Sequence, residues 1–511
     1  MIKKQHIRNL IFIFLLSFAG NLLSASDYNV KAYGAVGDGK VIDSPAINKA
    51  IEAAAEAGGG TVYFPTGTYL CFSIRLKSHI GLYLDHGAVI LAANPDEHNR
   101  GYDPAEPNEW DIYQDHGHSH WQNSLIWGED LQDISIIGPG KIYGKGLQRW
   151  DSDKVGEGNK AIALKNCRNV IIRDITMERC GHFCILPTGV DNFTIDNLRI
   201  DTNRDAINID CCRNVSITNC MINTPNDDAI VLKSSFALGY PRITENVMIT
   251  NCLVSGYDEG TFLDGTFQKT QKNAPDEGSV TGRIKFGTES NGGFKNITIT
   301  NCTFDHCRGL ALETVDGGIL EDITISNITM NDITNAPIFL RLGRRMRAPE
   351  GMEIGKMRRI IISNLVVNNA NPEDGSLIMG IPGHNIEDVK LSNIQILVKG
   401  GAPKEYSDIE VPELEDGYPD PMYFGKVPSY GFFIRHVNGI EFNNVEIRFM
   451  DEDFRPAFVL DDVMNVEFNN VKTQKPKNGP TFLLKNVKNF KTHECQSVPD
   501  TKLESVKQEK L

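Results

Sequence analysis

The chain has no surplus of positive charge. Its 52 Lys and Arg face 66 Asp and Glu, a formal net charge of −14. A surface of that sign repels a phosphate backbone, which excludes nucleic-acid binding driven by charge. It leaves room for an anionic sugar polymer, because the field inside a cleft can oppose the global one. Beyond the N-terminus no run is apolar enough to cross a bilayer. No Cys-x-x-Cys pair occurs among the 11 cysteines, and Cys211 and Cys212 are adjacent, so the spacing carries no zinc signature. Export would permit disulfides. Yet the count is odd, and Cys180, Cys211, Cys220, Cys252 and Cys302 adjoin strand-like runs. Small buried hydrophobes in a core are the simpler reading.

The N-terminus has the pattern of a signal peptide over residues 1–26. Lys3, Lys4 and Arg8 precede an apolar stretch from Leu10 to Leu23, and Ser24-Ala25-Ser26 offers a cleavage site. No Cys lies near it to carry a lipid. The mature protein is therefore expected to be exported, periplasmic or extracellular, with no membrane span left after cleavage.

A degenerate repeat dominates the rest. Asn192-Phe-Thr-Ile-Asp-Asn-Leu, Asn214-Val-Ser-Ile-Thr-Asn-Cys, Asn246-Val-Met-Ile-Thr-Asn-Cys and Asn296-Ile-Thr-Ile-Thr-Asn-Cys are clear copies. Weaker ones run on to Asn465. Asn169 to Asn192 spans 23 residues and Asn192 to Asn214 spans 22, periods that belong to solenoids. The leucine ladder of a leucine-rich repeat is missing. Short Val, Ile and Thr strands between Gly and Asn turns fit an all-β, right-handed parallel β-helix over residues 27–498. The recurring Asn suits a left-handed turn residue bonded to the Asn one rung away. A helix from Ser44 to Ala57, with Asp43 or Ser44 as N-cap and Pro45 in the first turn, is expected to close the N-terminal end. Gly400 to Tyr430 reads as an exposed inserted loop. Residues 499–511 read as a loose polar tail.

Two carboxylate sites fall one rung apart. Asp205 lies in Asn203-Arg204-Asp205, and Asp227 and Asp228 lie in Asn226-Asp227-Asp228. The 22 residues from Asp205 to Asp227 equal the local period, and adjacent rungs are about 4.8 Å apart. Three carboxylates so close cannot all stay ionised without help, and one is expected to hold a proton. Glycoside hydrolysis needs such an acid beside a base. Clustered carboxylates also suit calcium. In Arg283-Ile284-Lys285 the two cations share one face of a strand and offer a seat for a sugar carboxylate.

On these motifs, and on Tyr33-Gly-Ala-Val-Gly-Asp-Gly39 with the helix after it, the chain resembles family 28 glycoside hydrolases, the polygalacturonase and rhamnogalacturonan hydrolase group. The resemblance runs from about Tyr28 to about Asn470. It implies a pectin-lyase-like solenoid and inverting hydrolysis of galacturonate-containing pectic polysaccharide or oligosaccharide, with no cofactor and no catalytic metal. By motif, Asp227 is the general acid, while Asp205 and Asp228 hold and activate water. Arg283 and Lys285 bind a galacturonate carboxylate, and Asn203 keeps the place of the motif's Asn. The chain departs from the pattern in Arg204, which replaces Thr, in Asn208, which replaces an Asp, and in Glu259, which takes the place of a His. Glu259, Glu289 and Glu313 are candidate substrate contacts, with surface carboxylates as the plain alternative. His116, His118 and His120 are expected to line the cleft rather than bind metal. The insertion between Leu263 and Thr281 is expected to wall one end of the cleft and favour attack at chain ends. A monomer is expected. Two other readings stay open: a non-catalytic carbohydrate-binding β-helix and a calcium-dependent pectate lyase.

Overall fold

The computed structural model describes residues 28–151, 154–270, 280–477 and 479–511. The expected signal peptide, residues 1–26, lies outside them.

Strands and asparagine turns alternate as the repeat requires. Lys160–Lys165, Arg168–Arg173 and Thr176–Glu178 pair in parallel with Phe183–Thr188 (β1), Asp191–Asp196 and Arg199–Asp201 of the next turn. Three strands per turn thus wind into a parallel β-helix. The corners are residues in the left-handed region, where Asn is tolerated; Asn192, Asn214, Asn246 and Asn296 have φ between 53° and 57°. Their side chains form a ladder. Asn214 Nδ2 donates to Asn192 Oδ1 at 3.0 Å, Asn246 to Asn214 at 3.0 Å, and Asn296 to Asn246 at 3.2 Å.

The site is carried by one face. After β1 come Asp205–Asp210 (β2), Ile230–Ser234 (β3), Ile284–Ser290 (β4), Leu310–Thr314 (β5) and Ile338–Leu342 (β6). Ile185, Ile207, Ile230 and Ile284 stack in register and are fully buried inside the coil. The outward row reads Asn208, Val231, Lys285, Ala311, Phe339, again in register. All 11 cysteines are free, and all but Cys495 are buried, as the packing reading required.

The capping helix α1 spans Ser44–Glu56 and buries Ile47, Ala50, Ile51 and Ala54. Asp43 is its N-cap residue but makes no side-chain cap bond. Its carboxylate accepts instead from the amides of Val36 and Gly37, at 2.7 and 3.0 Å.

Two expectations need correction. The C-terminal tail is not loose: Thr501–Lys510 (β8) pairs antiparallel with Phe482–His493 (β7) and covers an edge of the last turn. Leu503, opposite Phe490, and Val506, opposite Val487, pack on the core, which a reading by polarity alone overlooks. The 400–430 segment is not a free loop either. Its Val411, Phe424 and Val427 join Ala311, Phe339, Leu377, Phe433 and Val459 in a buried apolar cluster. The segment roofs the outward face beyond β4.

Candidate active site

Asp205 opens β2, Asp227 and Asp228 stand just before β3, and Arg283 stands just before β4. Backbone bonds lock these starts together: Ala206 N–H donates to Asp228 O at 3.1 Å, and Ala229 N–H to Arg283 O at 2.9 Å. Gly282 sits at φ +58°, and a Cβ there would collide with the Ser255 carbonyl, so only glycine lets Arg283 enter at this angle.

Asp205, Asp227 and Asp228 each place an oxygen within 4.8 Å of the others. The Asp228 amide donates to Asp205 Oδ1 at 3.2 Å and to Asp227 Oδ1 at 3.1 Å. Asp205 and Asp228 are buried, while the Asp227 side chain remains 23% exposed and faces the cleft. Cations surround the cluster. Arg204 lies 2.8 Å from Asp227, Arg283 2.9 Å and Lys285 3.4 Å from Asp228, and Lys233 3.8 Å from Asp205. The spacing of the carboxylates would also suit a hard cation, but four side chains of the protein already meet their charge.

The neighbours split the protonation states. Burial, with Asp227 next to it, pushes the Asp205 carboxyl well above the usual range, against the pull of Lys233. Burial acts in the same sense on Asp227, but Arg204, the bond to Asp205, His182 and Lys285 together outweigh it and hold Asp227 below the usual range. Of the pair, these neighbours favour the proton on Asp205 and the charge on Asp227.

The other expected residues take varied places. Asn203 Oδ1 accepts from Asn226 Nδ2 at 2.8 Å, joining the two carboxylate turns. Glu289 is buried, 3.1 Å from Lys233 and 3.3 Å from Arg347. Glu313 is fully buried 3.8 Å from Lys285, and burial lifts it to about 8 despite Lys285 and Arg283. Glu259 is buried and pairs with Arg149, the residue before Trp150. The three histidines diverge. His116 bonds Asp151 at 2.8 Å and stacks on His182, His118 is buried 3.9 Å from Asp210, and His120 bonds the Glu106 carbonyl. Each thus has its own partner within the protein, and His118 is buried.

Sequence reasoning missed Lys233, His182, Trp150, Asp420 and Tyr418. Lys233 carried a signal, since it is in register with Asp210 and shares a face with Val231. Asp420 carried none. It lies 137 residues beyond Arg283, yet the two side chains meet at 3.0 Å, and Arg308 joins them at 2.9 Å. Tyr418, from the same roof, stands over Lys285 with 5.7 Å between ammonium and ring. The 263–281 insertion, expected to wall one end of the cleft, lies over 271–279 outside the described residues; among the described residues the 411–427 segment covers the outward face. In the first insertion, the described residues Gly260, Phe262 and Leu263 donate their amides to the Asp201 carboxylate.

Residues 28–89 match the model described as rhamnogalacturonase A/epimerase, pectate lyase-like, and residues 111–257 match glycosyl hydrolases family 28. A probable polygalacturonase from Vitis vinifera is 26% identical over 327 residues, 56% of this chain and 64% of that one. The plasmin and fibronectin-binding protein A of Streptococcus pneumoniae is 38% identical over 181 residues, 34% of this chain and 23% of that protein. The match thus spans less than two thirds of the length of either curated relative. Among solved structures, the family 28 exopolygalacturonase of Yersinia enterocolitica superposes with a TM-score of 0.62 at 19% identity, covering 86% of this chain and 78% of that one. The shared fold is the right-handed parallel β-helix. The family 28 model lies across the turns that hold Asp205, Asp227 and Asp228, and over that stretch the chain is similar to the glycosyl hydrolases of family 28.

Proposed function

We propose that this protein is an exported glycoside hydrolase that cleaves galacturonate-containing pectic chains by acid/base hydrolysis, working from a chain end. The observation that carries the reading is the cluster of Asp205, Asp227 and Asp228 ringed by Arg204, Lys233, Arg283 and Lys285. Asp227, the most open of the three, is the general acid. Asp205 and Asp228 hold the attacking water. Lys285, below the Tyr418 ring, and Arg283 provide positive charge for a sugar carboxylate in a protein whose net charge is −14.

Chain-end attack follows from the roof. A polymer lying along the outward face would continue over Ala311 and Phe339, and Val411, Phe424 and Val427 occupy that path. Arg347 adds a strap, reaching Asp115 of the early loop at 2.6 Å. A time course on galacturonan oligomers tests this: small products from the start support it, and a spread of mid-length products overturns it.

Inversion is the expected stereochemistry in this family. The carboxylate oxygens nevertheless lie closer than the roughly 6.5–9.5 Å common in inverting pairs. That observation favours a second reading, retention through a carboxylate nucleophile. Proton NMR of the first-formed anomer separates the two. The match to a surface binding protein supports a rival of another kind, a β-helix that binds without turnover. It predicts affinity that is indifferent to Asp227→Asn and no product.

A further inference from the structure

Arg204, at the position where the family 28 motif that the sequence resembles has Thr, forms a close ion pair with Asp227, at 2.8 Å, and its side chain is only 6% exposed. The other face of the guanidinium lies over the Trp150 ring, 4.4 Å from its centroid. Trp150 is 44% exposed, and its loop is fixed in place. Arg149 pairs with Glu259, and the Arg149 carbonyl accepts from His182 Nδ1 at 2.7 Å. Arg204 is thus held between the proposed acid and an open aromatic platform.

The groups facing Asp227 are Arg204, His182, Lys285, Lys233 and Tyr418, with Asp205 and Asp228 beside it. Burial and Arg204 keep His182 neutral. Lys285 is nearer Asp228 and Glu313, and Lys233 is nearer Asp205 and Glu289. Arg204 is therefore the cation that governs Asp227 directly. With it in place the proton rests on Asp205, and Asp227 is a carboxylate. That is the state hydrolysis leaves behind: the acid has given its proton to the leaving oxygen, and the base has taken one from water. Each turnover needs a reset.

We propose that Arg204 is a positioning residue through which a substrate carboxylate arms the acid. The proposal rests on the hydrolase reading. A uronate carboxylate entering over Trp150 takes up the guanidinium, the Arg204–Asp227 pair loosens, and a proton passes from the Asp205 carboxyl to the Asp227 carboxylate. The pair carries one negative charge before and after. Asp227 then protonates the glycosidic oxygen as its bond to the anomeric carbon breaks, water adds its oxygen to that carbon, and its proton goes to Asp205. The starting state is restored. A methyl-esterified sugar has no charge with which to draw Arg204 away, so the enzyme discriminates against it in kcat as well as in KM.

The test compares oligogalacturonates and their methyl esters of equal length with wild type, Arg204→Gln and Arg204→Lys. For wild type, kcat on the free acid should exceed that on the ester by about tenfold or more. In Arg204→Gln the two values should approach within about threefold, because ester turnover rises; Arg204→Lys should keep most of the difference. A preserved ratio in Arg204→Gln, with both substrates slowed alike, would overturn the proposal. Should that variant not fold, wild-type pH profiles decide. The alkaline limb of kcat should lie at higher pH than that of kcat/KM on the free acid, and coincident limbs would overturn the proposal. Absence of turnover on both forms by wild type would overturn the hydrolase reading itself.

Discussion

Two stretches of one sheet face share a backbone and differ in what they point outward. Across β2 to β4 the outward row carries Asn208, Val231 and Lys285, flanked by the three aspartates. Across β5, β6 and the turns beyond, the same row reads Ala311, Phe339, Leu377, Phe433 and Val459. The first stretch is charged and opens to the cleft at Asp227; the second is apolar and lies under the 411–427 roof. The coil's inward ladder is indifferent to the change. Function on this scaffold is therefore decided by every second residue and by where inserted segments land.

Breaking the joint between the two stretches should have the largest effect. Asp420→Asn takes the shared carboxylate from buried Arg283, which keeps Asp228, and from Arg308, and breaking a buried ion pair costs about 3–5 kcal/mol. Chemical denaturation should show that loss, and KM for acidic oligomers should change with it. Phe424→Ala removes the roof's main anchor at a cost of about 3 kcal/mol. It should loosen the roof without unfolding the coil, raising local hydrogen exchange over 411–427 and shifting products toward longer cuts.

The boundary residue Glu313 gives a pH signature. Its folded-state value of about 8 lies above the ordinary carboxyl range, chiefly through burial. The folded state therefore holds a proton that the unfolded chain has released. Stability from this group is full in acid and declines as pH rises through about 8. Glu313→Gln should remove the decline, gaining about 3 kcal/mol over wild type between pH 5 and pH 8. Far from the cleft, Asn251→Ala should cost only about 1–2 kcal/mol, since it removes the two exposed ladder bonds to Asn219 and from Asn301 and strains one left-handed corner at φ 56°. Its activity should be unchanged.

The sequence made the coil legible because each rung repeats one local rule: inward Ile or Val, outward polar residue, asparagine corner. The carboxylate cluster was legible for the same reason, since Asp205 and Asp227 are one period apart. Contacts that cross the period were not. Asp420 and Tyr418 reach the site from a Pro- and Gly-rich insertion whose few apolar anchors are spaced by no regular element. Glu259 was judged from the residue it replaces, whereas its partner Arg149 lies 110 positions upstream. The ordering of β8 was hidden by its charge, because an edge strand keeps charged residues outward and needs only a few apolar contacts.

The central claim is that the aspartate cluster adds water across a glycosidic bond. The most direct measurement is mass spectrometry of products formed from galacturonan oligomers in heavy-oxygen water, without calcium, by wild type and Asp227→Asn. The account predicts one heavy oxygen at each new reducing end with wild type, and a loss of product by about 10²–10⁴-fold in the variant. Unsaturated products without label, or labelled products formed equally well by Asp227→Asn, would contradict it.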